Sequence, residues 1–306
     1  MYLCTVNKSV NSPIQEISDT LLQSKRIRLF IMREDLIHDV ISGNKWRKLK
    51  YNINYAKKKS FDTLVTFGGS YSNHIAATAA AGKEFGFKTI GFIRGESHNT
   101  LNATLDFASS CGMELRYVSR MDYRKKNSIE FQKNYFKELN NFYLIPEGGT
   151  NFLAVKGCTE ILMNCPIDFD FVCCACGTGG TLSGLINGLK PHQHALGFAV
   201  LKGASFLKDY IFSQVFQSNW SLIEDYHFGG YAKVDPALVD FVNSFKTKHK
   251  IGLDPVYTGK MMFGLWDLIQ KDYFREGSKI IAIHTGGLQG LKGMNERLKN
   301  KDLQFL

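Results

Sequence analysis

Lys45 stands in the run Ser42-Gly43-Asn44-Lys45-Trp46-Arg47-Lys48-Leu49, between a glycine turn and the start of a helical pattern. Far along the chain, Gly177-Thr178-Gly179-Gly180-Thr181 separates a strand-like run from a helix-like one. A lysine amine can form a Schiff base with an aldehyde. A cluster of backbone N–H groups at a helix N-terminus can hold a phosphate monoester. One cofactor carries both an aldehyde and a phosphate, and that is pyridoxal phosphate.

Each run also has a plainer reading. A lysine beside Asn and Gly in a turn is ordinarily a solvated surface residue. Here, however, Arg33-Glu34-Asp35-Leu36 follows the apolar run Leu29 to Met32, and Lys45 ends the loop after it. That places the side chain at the mouth of the fold, where a cleft and a neighbouring cation can lower its pKa as Schiff-base chemistry requires. The glycine loop lacks the lysine of a Walker A motif, which disfavours nucleotide triphosphate hydrolysis. A loose dinucleotide turn and a merely structural glycine turn are the other readings.

Ser70-Tyr71-Ser72-Asn73-His74 follows Gly68-Gly69 and opens a helix. Ser72, Asn73 and His74 can together grip a carboxylate at that helix N-terminus, although one serine acting as an N-cap needs no ligand. Cys173, Cys174 and Cys176 suggest a metal at first sight. On a strand, Cys174 and Cys176 share a face and Cys173 takes the other, so we read core cysteines and no metal site. No Gly-x-Ser-x-Gly elbow is present.

These groups must be positioned by elements that alternate along the chain. Asp62 to Phe67, Lys88 to Ile93, Glu114 to Val118 and Phe142 to Ile145 read as strands, with helices at Ile75 to Ala81, Leu101 to Ser110 and Ser128 to Leu139. After Pro146-Glu147-Gly148-Gly149, a helix over Phe152 to Met163 and a strand over Phe169 to Cys176 lead into the glycine loop. Helices at Leu182 to Leu189, Val234 to Lys248 and Lys260 to Lys271 follow, with strands at Ala195 to Val200 and Lys279 to His284. A helix begun near Leu49 ends at Lys57-Lys58-Lys59, where lysines favour the negative dipole end. The pattern predicts an α/β protein of two lobes, each a mostly parallel sheet flanked by helices. The small lobe spans residues 47–150; the large one takes residues 1–46 and 151–306. Crevices beside strand C-termini are the expected binding place.

The 306 residues carry 44% hydrophobic and 22% charged residues, ordinary for a globular chain with ample core. Seven scattered cysteines do not make a disulfide framework. The start, Met1 to Lys8, lacks the apolar core of a signal peptide, and no run is apolar enough to span a bilayer, so a cytoplasmic protein without membrane contact is expected. The net charge of +10 invites a non-catalytic polyanion-binding class, supported by Lys57-Lys58-Lys59 and Arg124-Lys125-Lys126. No zinc-finger, RNP-like or basic heptad pattern accompanies them, which favours a solvated basic surface and no nucleic-acid partner.

Taken together, the motifs resemble fold-type II, tryptophan-synthase β-like pyridoxal-phosphate enzymes, and most closely the 1-aminocyclopropane-1-carboxylate deaminase/D-cysteine desulfhydrase family. The similarity runs through Arg33 to Leu36, Gly43-Asn44-Lys45, Gly68 to His74 and Pro146 to Gly149. It continues through Gly177 to Thr181, Leu253-Asp254-Pro255-Val256-Tyr257-Thr258-Gly259-Lys260 and His284-Thr285-Gly286-Gly287. The resemblance implies that Lys45 is the Schiff-base lysine and catalytic base, that Ser72 lies beside the substrate, and that Asn73 contacts the cofactor's phenolic oxygen. It further implies a phosphate cup at Gly177, Thr178, Gly179, Gly180 and Thr181, a substrate-facing Tyr257, and a homodimer. Deaminases of the family resemble Tyr-Glu-Gly and His-Leu-Gly-Gly at two variable places; desulfhydrases carry small hydroxyl residues there. Here the two are Thr258 and Thr285, expected near the pyridine nitrogen. A threonine stabilises a pyridinium less than a carboxylate does, and expulsion of a thiolate needs less help than opening a cyclopropane ring. The lean is therefore to D-cysteine-type α,β-elimination giving pyruvate, ammonia and sulfide, with the deaminase as runner-up. Tyr71 and Ser42 depart from the glutamine and glycine found in many members.

Overall fold

Apolar runs buried on both faces can pair as parallel strands only if helices cover them, and this chain supplies both in alternation. The computed structural model describes residues 11–41, 43–97 and 100–306. Ser42 and the start Met1 to Lys8 lie outside the described residues. In chain order the strands are β1 (Ile14–Ile17), β2 (Arg28–Met32), β3 (Thr63–Gly69), β4 (Lys88–Arg94), β5 (Met113–Val118), β6 (Phe142–Ile145), β7 (Phe171–Cys176), β8 (His194–Ala199), β9 (Trp220–Ile223) and β10 (Lys279–Ile283). Helices fill the crossovers. They are α1 (Thr20–Ser24), α2 (Asn44–Lys58), α3 (Asn73–Phe85), α4 (Ala103–Ser110), α5 (Arg120–Arg124), α6 (Ile129–Tyr135), α7 (Phe152–Met163), α8 (Gly180–Asn187), α9 (Phe206–Phe212), α10 (Pro236–His249), α11 (Thr258–Gln270) and α12 (Leu291–Leu298).

Two sheets result. One has the order β1-β2-β10-β7-β8-β9 and is parallel apart from β1; the other has the order β5-β4-β3-β6 and is parallel throughout. The fold class is the one expected, two parallel-rich sheets flanked by helices. Alternation along β7 is visible in the core: Cys173 joins one apolar cluster, and Cys174 and Cys176 join the cluster on the opposite face.

The differences from the sequence reading have local causes. Helix α2 begins at Asn44, well before Leu49, because its start is made by contacts distant in sequence. Gly43 N–H donates to the Glu34 carbonyl at 3.1 Å, and Asn44 N–H to the Thr285 carbonyl at 3.4 Å. Helix α6 stops at Tyr135, short of Leu139; Phe136 and Leu139 pack beside the core of the smaller sheet. Short elements such as β1, α1, α5, α9 and β9 carry too few residues for a period to stand out.

Helix α2 is the piece that positions the rest. Its Trp46, Leu49, Ile53 and Ala56 enter the core shared with β3 and α3. Its other side meets α7 so closely that a Cβ on Gly157 would stand 1.9 Å from the Arg47 carbonyl oxygen. Buried Arg47 donates through Nε and Nη2 to the two oxygens of fully buried Glu34, both at 3.0 Å. At the helix start, Gly43 adopts φ +68, and a Cβ there would lie 1.9 Å from the Thr285 oxygen. The helix is thereby fixed against both sheets at once.

Gly157→Ala is expected to force α2 and α7 apart and to destabilise the protein by about 1–3 kcal/mol, the usual range for overpacking. Urea unfolding should show a lower midpoint at unchanged slope. An unaltered midpoint would mean that this approach carries no such constraint.

Candidate active site

Loops after β3, β7 and β10 and the first turns of α2 line one cleft. It is lined by Lys45 and Lys48 from α2, by Ser72, Asn73 and His74 from the start of α3, and by Gly177 to Gly179 and Thr181 at the start of α8. Tyr257 and Thr285 complete the wall. Residues separated by more than two hundred positions thus face one space.

Lys45 lies in the first turn of α2, and its Nζ donates to Asn44 Oδ1 at 2.9 Å. Burial, joined by the nearby Lys48 charge, brings its amine down to about 7, with Asp254 working against both. A large share of the amine is then neutral, and hence nucleophilic, at neutral pH. Asn44 in turn donates to Thr181 Oγ1 at 2.8 Å, which ties the lysine's turn to the glycine loop.

Lys48, three residues further on, is 3% exposed and carried no role in the sequence reading. Its Nζ donates to the Gly148 carbonyl at 3.0 Å, to Thr150 Oγ1 at 2.9 Å and more distantly to Thr178 Oγ1 at 3.4 Å. Burial pushes this amine down as well. All three partners are neutral oxygens, so the cation sits beside the N-terminus of α8 with its charge unmet. A dianionic phosphate there would meet both the helix N–H groups and the ammonium. The cation that a Walker loop carries within itself is here supplied by another helix. Residues i and i+3 share a helix face, so starting α2 at Asn44 would have revealed it.

At α3, Ser72 is the N-cap, its Oγ accepting from Ile75 N–H at 3.4 Å. The plain capping role and a place on the cleft wall therefore coexist. Asn73 accepts from Gln289 Nε2 at 3.0 Å, and its amide nitrogen lies close to Gly287. His74 is 1% exposed. Thr66 Oγ1 donates to the Ile145 carbonyl at 2.9 Å, so its contact with His74 Nε2 at 2.8 Å is assigned as acceptance of the imidazole proton. Nδ1 is left as a buried acceptor without a partner among the described residues. Burial, reinforced by the charges of Lys45 and Lys48, holds the ring neutral, well below the usual histidine range.

Tyr257 precedes α11. Burial pushes its phenol well above the ordinary range, with Tyr231 the next contributor, so it is a proton donor at neutral pH. Its hydroxyl meets that of Tyr231 at 3.4 Å, another residue the sequence reading passed over. Thr285 lies on the cleft wall. Thr258 is placed elsewhere: it is fully buried, and its hydroxyl donates to Asp254 Oδ1 at 2.8 Å while accepting from Asp254 N–H at 2.9 Å. The same carboxylate accepts from the N–H groups of Val256, Tyr257 and Thr258, so Thr258 belongs to a helix-capping network behind the wall. Among the described residues, none lining the cleft carries a carboxylate.

A depressed amine for an aldehyde, with a buried ammonium and a helix N-terminus for a dianion, is a donor set that pyridoxal phosphate would satisfy. The comparisons with known proteins agree. Residues 11–286 match the family described as pyridoxal-phosphate dependent enzyme. A Pyrococcus horikoshii protein provisionally named 1-aminocyclopropane-1-carboxylate deaminase is 32% identical, over 88% of this chain and 87% of its own. The bifunctional D-cysteine desulfhydrase/1-aminocyclopropane-1-carboxylate deaminase of Arabidopsis thaliana, named as mitochondrial, is 30% identical over 86% of this chain and 73% of its own. A solved structure described as an ACC deaminase homologue superposes with a TM-score of 0.82 at 29% identity, covering 95% of this chain and 93% of that one.

The Lys45 amine gives a direct pH expectation. Its neutral form grows as pH rises through about 7, so pyridoxal phosphate uptake by cofactor-stripped protein should quicken across about pH 6 to 8 and then level. Stopped-flow absorbance measures this. A rate still climbing steeply beyond about pH 9, as an unperturbed lysine would give, contradicts the depressed amine.

Proposed function

Since this chain belongs to the pyridoxal-phosphate dependent enzyme family, within the 1-aminocyclopropane-1-carboxylate deaminase/D-cysteine desulfhydrase group, we propose that it eliminates sulfide from D-cysteine. D-cysteine and one water would give pyruvate, ammonia and hydrogen sulfide. The observation that carries this choice is the lining of the cleft: Thr285 stands on it and, among the described residues, no carboxylate does. A ring nitrogen with only a hydroxyl neighbour is a weaker electron sink, sufficient for loss of a thiolate and less suited to opening a strained carbocycle.

When bound, the cofactor supplies an aldehyde that condenses with amines and a ring that takes up the electron pair left at a deprotonated carbon. The chain's own residues do the rest. Lys48, Thr178, Thr181 and the N–H groups of Gly177 to Gly180 hold the phosphate. Asn73 holds the phenolic oxygen. Ser72 and the first turn of α3, through the backbone N–H groups of Asn73 and His74, bind the substrate carboxylate. Lys45 Nζ, poised near neutrality, takes the α proton. Tyr257 keeps its phenolic proton and stands on the wall beside the substrate.

The same reading takes residues 1–46 and 151–306 as the large lobe and 47–150 as the small one, supported by the membership of β3 to β6 in one sheet. It includes a homodimer, which rests on the family resemblance, and a cytoplasmic location. Among the described residues no helix is long and apolar enough to cross a membrane.

The test is pyruvate release across a panel of D- and L-amino acids and 1-aminocyclopropane-1-carboxylate. D-cysteine is expected to be the preferred substrate, and Lys45→Ala to abolish turnover while the protein stays folded. Efficient ring opening by the unaltered enzyme would overturn the choice of substrate, and near-normal turnover by Lys45→Ala the choice of lysine. Thr258→Glu is expected to lose stability, because its carboxylate would replace a hydroxyl held 2.8 Å from Asp254 Oδ1. Thermal unfolding should show a lower midpoint than for the unaltered protein.

A further inference from the structure

Lys260 is a lysine with 1% of its surface exposed and no carboxylate within ion-pair distance among the described residues. Its Nζ donates to two backbone carbonyls, His227 O at 2.8 Å and Gly230 O at 2.7 Å. Burial pushes the amine down to about 8, against the opposing pull of the Asp254 and Asp235 carboxylates. Burying a cation for two carbonyls is costly, and the turn that receives them is itself unfavourable. Phe228 and Ala232 adopt φ of +54 and +53, and Gly229 and Gly230 adopt +85 and +120. A turn of this kind persists only when something else holds it.

What holds it lies on one face of α11. Lys260, Gly264 and Asp267 recur at helical spacing and each takes part of the 226–231 segment. The Tyr226 ring rests on Gly264, where an added Cβ would come within 2.6 Å of it. The Tyr226 hydroxyl donates to Asp267 Oδ2. Phe228 meets Phe263 edge-on at 4.9 Å between centroids. Lys260 grips the turn at both of its ends, and the next residue along is Tyr231. The Tyr231 ring stands edge-on to that of cleft-lining Tyr257, with centroids 6.1 Å apart and hydroxyls at 3.4 Å.

We propose that Lys260 is a positioning residue of the site, holding the 226–231 segment along α11 so that the Tyr231 hydroxyl stands against that of Tyr257. The lysine touches neither the cleft nor its contents; it acts through the turn. Tyr231 then fixes which way the Tyr257 hydroxyl points, because accepting its proton leaves the lone pairs of the Tyr257 oxygen towards the cleft. The geometric claim stands apart from the choice of substrate, and only the turnover measurement rests on the preceding reading.

The test is a cycle of Lys260→Met, Tyr231→Phe and the double variant, read in two ways. Hydrogen exchange on the holoenzyme follows the Gly230 and Lys233 amides, which close the turn by donating to His227 O at 3.0 Å and to Gly230 O at 3.1 Å. Lys260→Met should quicken exchange there by about tenfold or more and leave the core strands unchanged, whereas Tyr231→Phe should not. Turnover of whichever amino acid the panel identifies should fall about tenfold in each single variant and little further in the double, since both act through one hydroxyl. Unchanged exchange at the turn overturns the proposal, as does an equal loss from Lys260→Met with and without the Tyr231 hydroxyl. A Lys260→Met protein that does not fold also overturns it, because the lysine would then support the core and not one turn. Failure of D-cysteine as a substrate would leave the exchange result standing and touch only the proposed reaction.

Discussion

Helix α2 cannot shift without taking the site with it. The buried ion pair of Glu34 and Arg47 locks it to the end of β2, and the contact of Gly157 with the Arg47 carbonyl seats it on α7. A buried pair of this kind gains little net stability, since desolvation consumes most of the attraction, but removing one partner strands a charge. Its effect is to allow one arrangement only. Because Lys45 and Lys48 project from the same helix, both cations inherit that precision. Gly43 carries the constraint to the far side of the cleft, where it lies against the Thr285 carbonyl.

The electrostatics follow from that placement. Burial lowers the proton affinity of both lysines, the Lys48 charge lowers that of Lys45 as well, and together they keep the buried His74 imidazole neutral. Among the described residues, the cleft wall offers no carboxylate to relieve them. Such a site stores unfavourable charge that an incoming dianion would neutralise, so affinity for a phosphate and reactivity of the Lys45 amine arise from one cause. Tyr257 is moved the opposite way, since burial favours the neutral phenol.

Asp254 organises the other wall. Its carboxylate gathers three backbone N–H groups and the Thr258 hydroxyl at the start of α11, which sets the Tyr257 backbone. From there α11 runs on, carrying the segment that brings Tyr231 back against Tyr257. The helix thus serves at its N-terminus as a frame and along one face as a rail.

Much of this was legible without coordinates. The apolar runs and their spacing specified parallel strands and crossover helices, and the opposite facing of Cys173 and Cys174 followed from strand geometry alone. The motifs around Lys45, Ser72, Gly177 and Tyr257 announced themselves because glycine, hydroxyl and amine residues are locally unusual in such patterns. Three things depended on tertiary contacts. The start of α2 at Asn44 is made by carbonyls of Glu34 and Thr285, which no local pattern contains, and with it went the role of Lys48. The hydroxyl of Thr258 could have faced the cleft or the helix cap; the Asp254 carboxylate four residues earlier claims it. Tyr231 and Lys260 meet across a turn of left-handed residues whose path only packing against α11 determines. Residue type and period are local properties, and they determine which elements form. Which side chains then share a space depends on where distant segments come to rest, and that is settled by packing.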